Sequence, residues 1–200
     1  LDWEEKIPTA IFRGAATNCG YDEHTSPRIK AHMLSKKWES NNNFNENNKI
    51  DGVKFLDAGV TYIWYDDIKK KGENKIKFIK TFDTANYIPM EDQAKYKYIL
   101  NIDGSVTAYR LAIELSYNSC ILKVKSEYFT WYSHLLKEYE HYIPIKEDLS
   151  DLAEKIEWCK NNDDKCKEIA MNSKIFFEKY FTKKILLDYL QMTLTEISKN

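Results

Sequence analysis

The sequence predicts an α/β fold, a parallel sheet with helices on both faces. Three observations carry this expectation. Short apolar runs that read as strands alternate along the chain with segments of helical periodicity, the pattern of parallel strands joined by crossover helices. Two of the runs, "TAIFRG" and "KYKYILNIDG", read as buried strands that stop at turn-forming residues, Gly14 and Asp103-Gly104. The 200 residues are 43% hydrophobic and 14% aromatic, enough for a packed core.

The elements follow in order. A strand is expected over 9–14, then a polar loop over 18–26. Ser26 is a plausible N-cap, Pro27 suits the first helical position, and Ile29, Met33, Leu34 and Trp38 fall at helical spacing, so a helix is expected over 26–38. The Asn-rich stretch 39–50 reads as a loop. Residues 53–65 hold one strand, or two with a turn at Ala58-Gly59. After a turn at 69–74, "KIKFI" (75–79) alternates like an edge strand. A connection with a short helix at 90–94 leads to a strand at 96–102, a helix at 105–117, a strand at 119–124, a helix at 127–136 and a short strand at 141–145. Three helices end the chain. The helix at 148–162 buries Leu149, Leu152, Ile156 and Cys159 or Trp158. The helix at 163–181 carries Ile169, Phe176 and Tyr180. The helix at 183–199 carries Leu186, Leu190, Leu194 and Ile197.

Composition narrows the function. The formal net charge is -1, which gives the chain as a whole no electrostatic reason to bind nucleic acid. No apolar run approaches the roughly 20 residues that span a membrane. The four cysteines, Cys19, Cys120, Cys159 and Cys166, have no C-x-x-C spacing and form no disulfide framework, and Cys120 reads as a core residue. No N-x-S/T triplet occurs, and the acidic start "LDWEEKIPTA" has no leader-like apolar stretch. The compartment stays open, with a slight lean to the cytoplasm.

The stretch "ILNIDGSVTAYR" (99–110) suggests an anion site. In open α/β sheets ligands sit beyond the carboxyl ends of strands. Here a strand ends at Ile102, Asp103-Gly104 turns, and Gly104 lets backbone approach a ligand. Ser105, Val106, Thr107 and Ala108 are expected to form the first helical turn, whose free N–H groups favour an anion. Arg110 can fork onto phosphate oxygens. "FRG" at 12–14 has the same character, with Arg13 at a strand end, Gly14 at the turn, a Thr17 hydroxyl, and Arg28 at the start of the next helix. Arg13 and Arg110, each beside a glycine, suggest a shared diphosphate. The alternative for each is a structural ion pair.

The order of "FRG", "SPRIKAHML", "KYKYILNIDGSVTAYRLAIEL", "SCILKVKSEYFTWYSHL", "HYIPIKEDLSDLAEKIEW" and "NDDKCKEIA" resembles glycosyltransferase family 90, which holds protein O-glucosyltransferases and capsule-associated xylosyltransferases. The resemblance runs from about Thr9 to Phe181. It implies that this chain is a Rossmann-like carboxyl-terminal domain of a GT-B architecture. It implies an inverting transfer of a sugar, glucose or xylose, from a UDP-sugar to a hydroxyl of a protein or glycan acceptor. No metal or other cofactor is implied. Carried over, Arg13, Gly14, Arg28, Gly104, Ser105, Val106, Thr107, Ala108 and Arg110 would bind the donor diphosphate. The loop before Arg28 is longer here than in the family pattern. Glu127 would accept the ribose hydroxyls, and His141 and Tyr142 match a structural strand. The general base is expected outside this chain, so Asp22, Glu23 and His24 are not nominated. Residues 1–182 would form the nucleotide-sugar-binding domain, with the helix at 183–200 packing toward a missing amino-terminal domain of a longer polypeptide. A nucleotide-sugar-binding module without catalysis and a non-enzymatic interaction domain remain the alternatives.

Overall fold

The computed structural model describes residues 1–17, 22, 24–40, 54–63 and 82–199. Five strands form one sheet: β1 (Ile7–Ala16), β2 (Leu56–Ile63), β3 (Tyr96–Asn101), β4 (Cys120–Val124) and β5 (Ile143–Ile145). All neighbours are parallel, in the order β2-β1-β3-β4-β5. The helices are α1 (Pro27–Ser40), α2 (Met90–Gln93), α3 (Arg110–Glu114), α4 (Leu152–Asn161), α5 (Asp163–Tyr180) and α6 (Lys183–Ile197). The expected Rossmann-like α/β architecture is therefore present.

Strand alternation lays core on both faces of the sheet, with a smaller cluster of Ile29, Val60 and Ile63 beside α1 and β2. Ala10, Phe12, Tyr98, Leu100 and Ile102 point into one cluster with Ala31 of α1, Ile156 of α4 and Ile169 of α5. Ile11, Ile99 and Ile121 point into the other, against Leu111 of α3, Leu115, Tyr132 and Phe176 of α5. Cys120, Cys159 and Cys166 are free thiols buried in the first cluster, so the two helical cysteines are not paired. Lys6 is buried below the sheet, where its ammonium group donates to the carbonyls of Ala94 and Tyr117 and to the Ser119 hydroxyl.

Several expectations shift. Residues 53–65 hold a single strand, with Gly59 inside it opposite Arg13. The helix expected from 105 begins only at Arg110, and a 3₁₀ turn at Leu115–Tyr117 follows it. Asp103 explains the delay. Its carboxylate accepts from the Ala108 N–H at 2.5 Å, and the Gly104 N–H donates to the Val106 carbonyl at 3.0 Å, which closes 103–108 into a loop. The segment 127–136 is irregular apart from a 3₁₀ turn at Ser133–Leu135. There the Ser133 hydroxyl accepts from the Thr130 N–H and meets the Thr130 hydroxyl, each at 2.8 Å, so side chains compete with a helical ladder. The edge strand expected at 75–79 and most of the loop at 39–50 lie outside the described residues.

Two long amphipathic helices end differently. α5 buries Cys166, Ile169, Ala170, Ser173 and Phe176. α6 buries none of its residues, although Tyr189 stacks on Trp131 at 4.8 Å. No helix among the described residues is long and apolar enough to cross a membrane.

Candidate functional site

The β1–β2 ladder runs on to Ala16–Ile63, whereas the β1–β3 ladder stops at Ile11–Ile99. β1 and β3 thus part at their carboxyl ends. In this strand order the chain also changes winding direction there, which is where open α/β sheets bind ligands. A cavity of about 500 Å³ opens at this point, lined by Thr17, Arg28, Met90, Gly104, Ser105, Val106, Thr107, Ala108, Tyr109 and Arg110. Gly104 also borders a second cavity of about 230 Å³, which Asp103, Val124, Ser126 and Glu127 help to line. Glu127 follows β4 and is exposed.

Arg28 sits in the first turn of α1. The helix starts where the Ser26 hydroxyl accepts from the Ile29 N–H at 3.4 Å. Its buried guanidinium ties the two strand ends together: Nη1 donates to the Ala15 carbonyl and the Thr17 hydroxyl, both at 2.8 Å, and Nη2 donates to the Ile102 carbonyl at 2.8 Å. Nε is shared between the carbonyls of Ile102 and Asp103. Burial and then the neighbouring Arg110 cation bring its pKa down to about 10, so it stays charged at neutral pH.

Arg110 is the first residue of α3 and is differently placed. Nη1 donates to the Arg13 carbonyl. Among the described residues this is its only hydrogen bond, which leaves further N–H groups beside the cavity. Both guanidiniums lie near the Phe12 ring, at 5.8 Å for Arg28 and 5.9 Å for Arg110. The two glycines make room for them. A Cβ on Gly14 would stand 3.0 Å from Arg110 Nη2, and one on Gly104 would stand 2.6 Å from the Thr17 hydroxyl and 3.1 Å from Arg28 Nη2.

The expected pairing of Arg13 with Arg110 is corrected by this geometry. Arg13 alternates with Phe12 and Gly14, so its side chain leaves β1 on the opposite face. There Nη2 pairs with the Asp57 carboxylate at 2.8 Å, Nη1 donates to the carbonyls of Asp57 and Phe12, and Nε donates to the Asn86 carbonyl at 3.2 Å. Arg13 does not line the cavity. The side chain that joins Arg110 is Arg28. Likewise, 105–108 border the cavity as loop backbone and not as a helical turn.

Glu114 escaped the sequence reading. It is 2% exposed, and its Oε2 accepts from Asn101 Nδ2 at 2.7 Å. Burial raises its pKa to about 7, against the opposing pull of Arg110, Asn101 and Arg28. The signal was a carboxylate at a core position of α3, between the buried Leu111 and Leu115. The Asp22 carboxylate accepts from the Thr25 hydroxyl and from the N–H groups of Thr25 and His24, which hold its pKa below the usual range. His141 packs its ring on Phe176 at 5.0 Å, and its Nδ1 accepts from the Lys137 N–H.

A family described as glycosyl transferase family 90 matches residues 1–200. Uncharacterized protein 179R of Invertebrate iridescent virus 6 is 39% identical over 209 residues, covering 98% of this chain and 17% of that protein. Protein O-glucosyltransferase 3 of Homo sapiens is 34% identical over 173 residues, covering 86% of this chain and 28% of that protein. Protein O-glucosyltransferase 1 of Rattus norvegicus is 30% identical over 197 residues, covering 98% of this chain and 43% of that protein. The chain thus spans less than half the length of these relatives.

Proposed function

Since the chain belongs to glycosyltransferase family 90, we propose that it is the donor-binding part of an enzyme that moves a sugar from a UDP-sugar to an acceptor hydroxyl. The observation that carries this reading is the Arg28–Arg110 pair beside the 500 Å³ cavity where β1 and β3 part. Two cations and the loop backbone of 105–107 suit a diphosphate. Arg110 is the main contact, because its donors are the least used by the protein. Arg28 adds charge and holds the crevice open. Arg13 acts indirectly, by anchoring β1 and presenting its carbonyl to Arg110. Glu127, in the adjoining cavity, is suited to accept from ribose hydroxyls.

The reading includes a single displacement that inverts the anomeric carbon of glucose or xylose without a metal. Negative charge then grows on the leaving diphosphate, where Arg110 and Arg28 would stabilise it, an effect of order 3–4 kcal/mol per donor. The base that takes the hydroxyl proton from the protein or glycan acceptor comes from outside this chain. The exposed apolar stripe of α6 would then face the rest of a longer polypeptide.

Calorimetric titration of the intact protein with UDP tests the site. Saturable binding that Arg110→Ala weakens by roughly 10–100-fold, with unchanged circular dichroism, is expected. No heat and no thermal shift at millimolar UDP would overturn the reading. Transfer assays with UDP-glucose, UDP-xylose and UDP-galactose, with and without EDTA, then identify the sugar and the metal requirement.

A further inference from the structure

Glu114 stands one helical turn after Arg110, at a position that otherwise faces core. Leu111 and Leu115 beside it are 4% and 1% exposed, so a leucine would suit the site. A carboxylate there loses its hydration and keeps it only in part through the Asn101 amide. Among the described residues it makes no salt bridge. The charged and titratable groups that act on it come from several elements: Arg110 from α3, Arg28 from α1 and Asp103 from the end of β3. Its charge in turn acts on Tyr117, from the 3₁₀ turn, and Tyr132, from the segment after β4. The two guanidiniums are therefore the positive groups that balance its charge, and they are the same two that border the donor cavity.

We propose that Glu114 is a positioning residue whose carboxylate takes up a proton when the diphosphate of a nucleotide-sugar settles against Arg28 and Arg110. This rests on the donor-binding reading above. In the free protein Asp103 and Glu114 are the carboxylates whose charge acts on Arg28, and Arg110 is the strongest charge acting on Glu114. An arriving diphosphate supplies negative charge to the same two cations. The carboxylate then sits beside like charge in a place with little water, which favours its neutral form. The proton comes from solvent and no other bond changes. A neutral carboxyl still accepts from Asn101 Nδ2 through its carbonyl oxygen, so the side chain stays in place. Its free-state pKa near 7 means that ordinary conditions hold it close to balance, where a neighbouring charge shifts it readily.

The sign follows from linkage. Proton uptake on binding means that affinity falls as pH rises above about 7, by at most about tenfold per pH unit for one proton. UDP-glucose is the suitable probe, because its doubly esterified diphosphate does not titrate in this range. The intact protein is titrated by calorimetry at pH 7.5 in phosphate and in Tris. The observed enthalpy should depend on the buffer's ionisation enthalpy in the sense of proton uptake, and Kd should rise several-fold between pH 6.5 and 8.5. In Glu114→Gln the buffer dependence should vanish and Kd should stay flat with pH. Binding in the wild type without buffer dependence, or an unchanged dependence in Glu114→Gln, overturns the proposal. Should Glu114→Gln fail to fold, infrared difference spectra of the wild type decide: a protonated carboxyl band must grow with UDP-glucose, and its absence sinks the proposal. Failure of UDP-glucose to bind at any pH overturns the donor-binding reading itself, which separates the two.

Discussion

Strand β1 has two flanks, and they serve different ends. On the β2 side the ladder continues to the last residue, and Arg13 is enclosed by a carboxylate and three carbonyls. On the β3 side the ladder stops five residues earlier, at Ile11 against Ala16, and two arginines stand at the opening. The residue type is the same, but the number of donors left over differs. An arginine with four of its five N–H groups met by protein acceptors holds the fold together. One with unmet donors beside a cavity is free to meet an anion. This distinguishes Arg13, inside β1, from Arg110, at the start of α3, more surely than their sequence settings do.

The contrast breaks most severely at the closed flank. Arg13→Met should cost about 3–5 kcal/mol of stability, because it strands the largely buried Asp57 carboxylate without its cation. Chemical denaturation measures this, and UDP affinity of the folded fraction should change little. Lost UDP binding at full stability would exchange the roles of the two flanks. At the open flank Arg110→Ala should do the reverse. Removing a charged donor should weaken UDP by about 1.5–3 kcal/mol, roughly 10–100-fold in Kd, with a thermal midpoint close to wild type.

Gly104→Ala sharpens the comparison by closing the crevice mechanically. Its Cβ would meet the Thr17 hydroxyl at 2.6 Å and the Thr17 carbonyl at 3.0 Å, so the loop must move. Overpacking of this kind typically costs about 1–3 kcal/mol, and UDP affinity should fall in the same titration. The effect that shows only against pH concerns Glu114. Its folded pKa is raised from 4.5 to about 7, so the unfolded chain releases this proton first and stability falls as pH rises through that window, then levels off. Glu114→Gln should flatten this slope, which for such a shift spans on the order of 3 kcal/mol. Thermal unfolding across pH 4.5 to 8 reads it directly.

Much of this was legible in the residues themselves. The apolar runs at 9–14, 96–102, 119–124 and 141–145 became β1, β3, β4 and β5, and the periodic stretches at 26–38 and after 148 became α1, α4, α5 and α6. Helix was over-read where Asp103, Thr130 and Ser133 side chains capture nearby N–H groups, a competition that apolar spacing does not reveal. Arg28 and Arg110 were among the residues singled out, yet the partner expected for Arg110 was Arg13. The sequence places Arg13 at a strand end but cannot say that Asp57, from another strand, will meet it.

Local order along the chain determined which segments extend, which coil, and where glycines and a carboxylate interrupt them, because those tendencies depend on neighbours a few residues away. Which arginines converge, which flank of β1 stays open, and how the charges of Arg110 and Arg28 come to act on Glu114 were decided only by folding. Each of these depends on strand order and on helices laid across the sheet, and so on contacts between residues far apart in the chain.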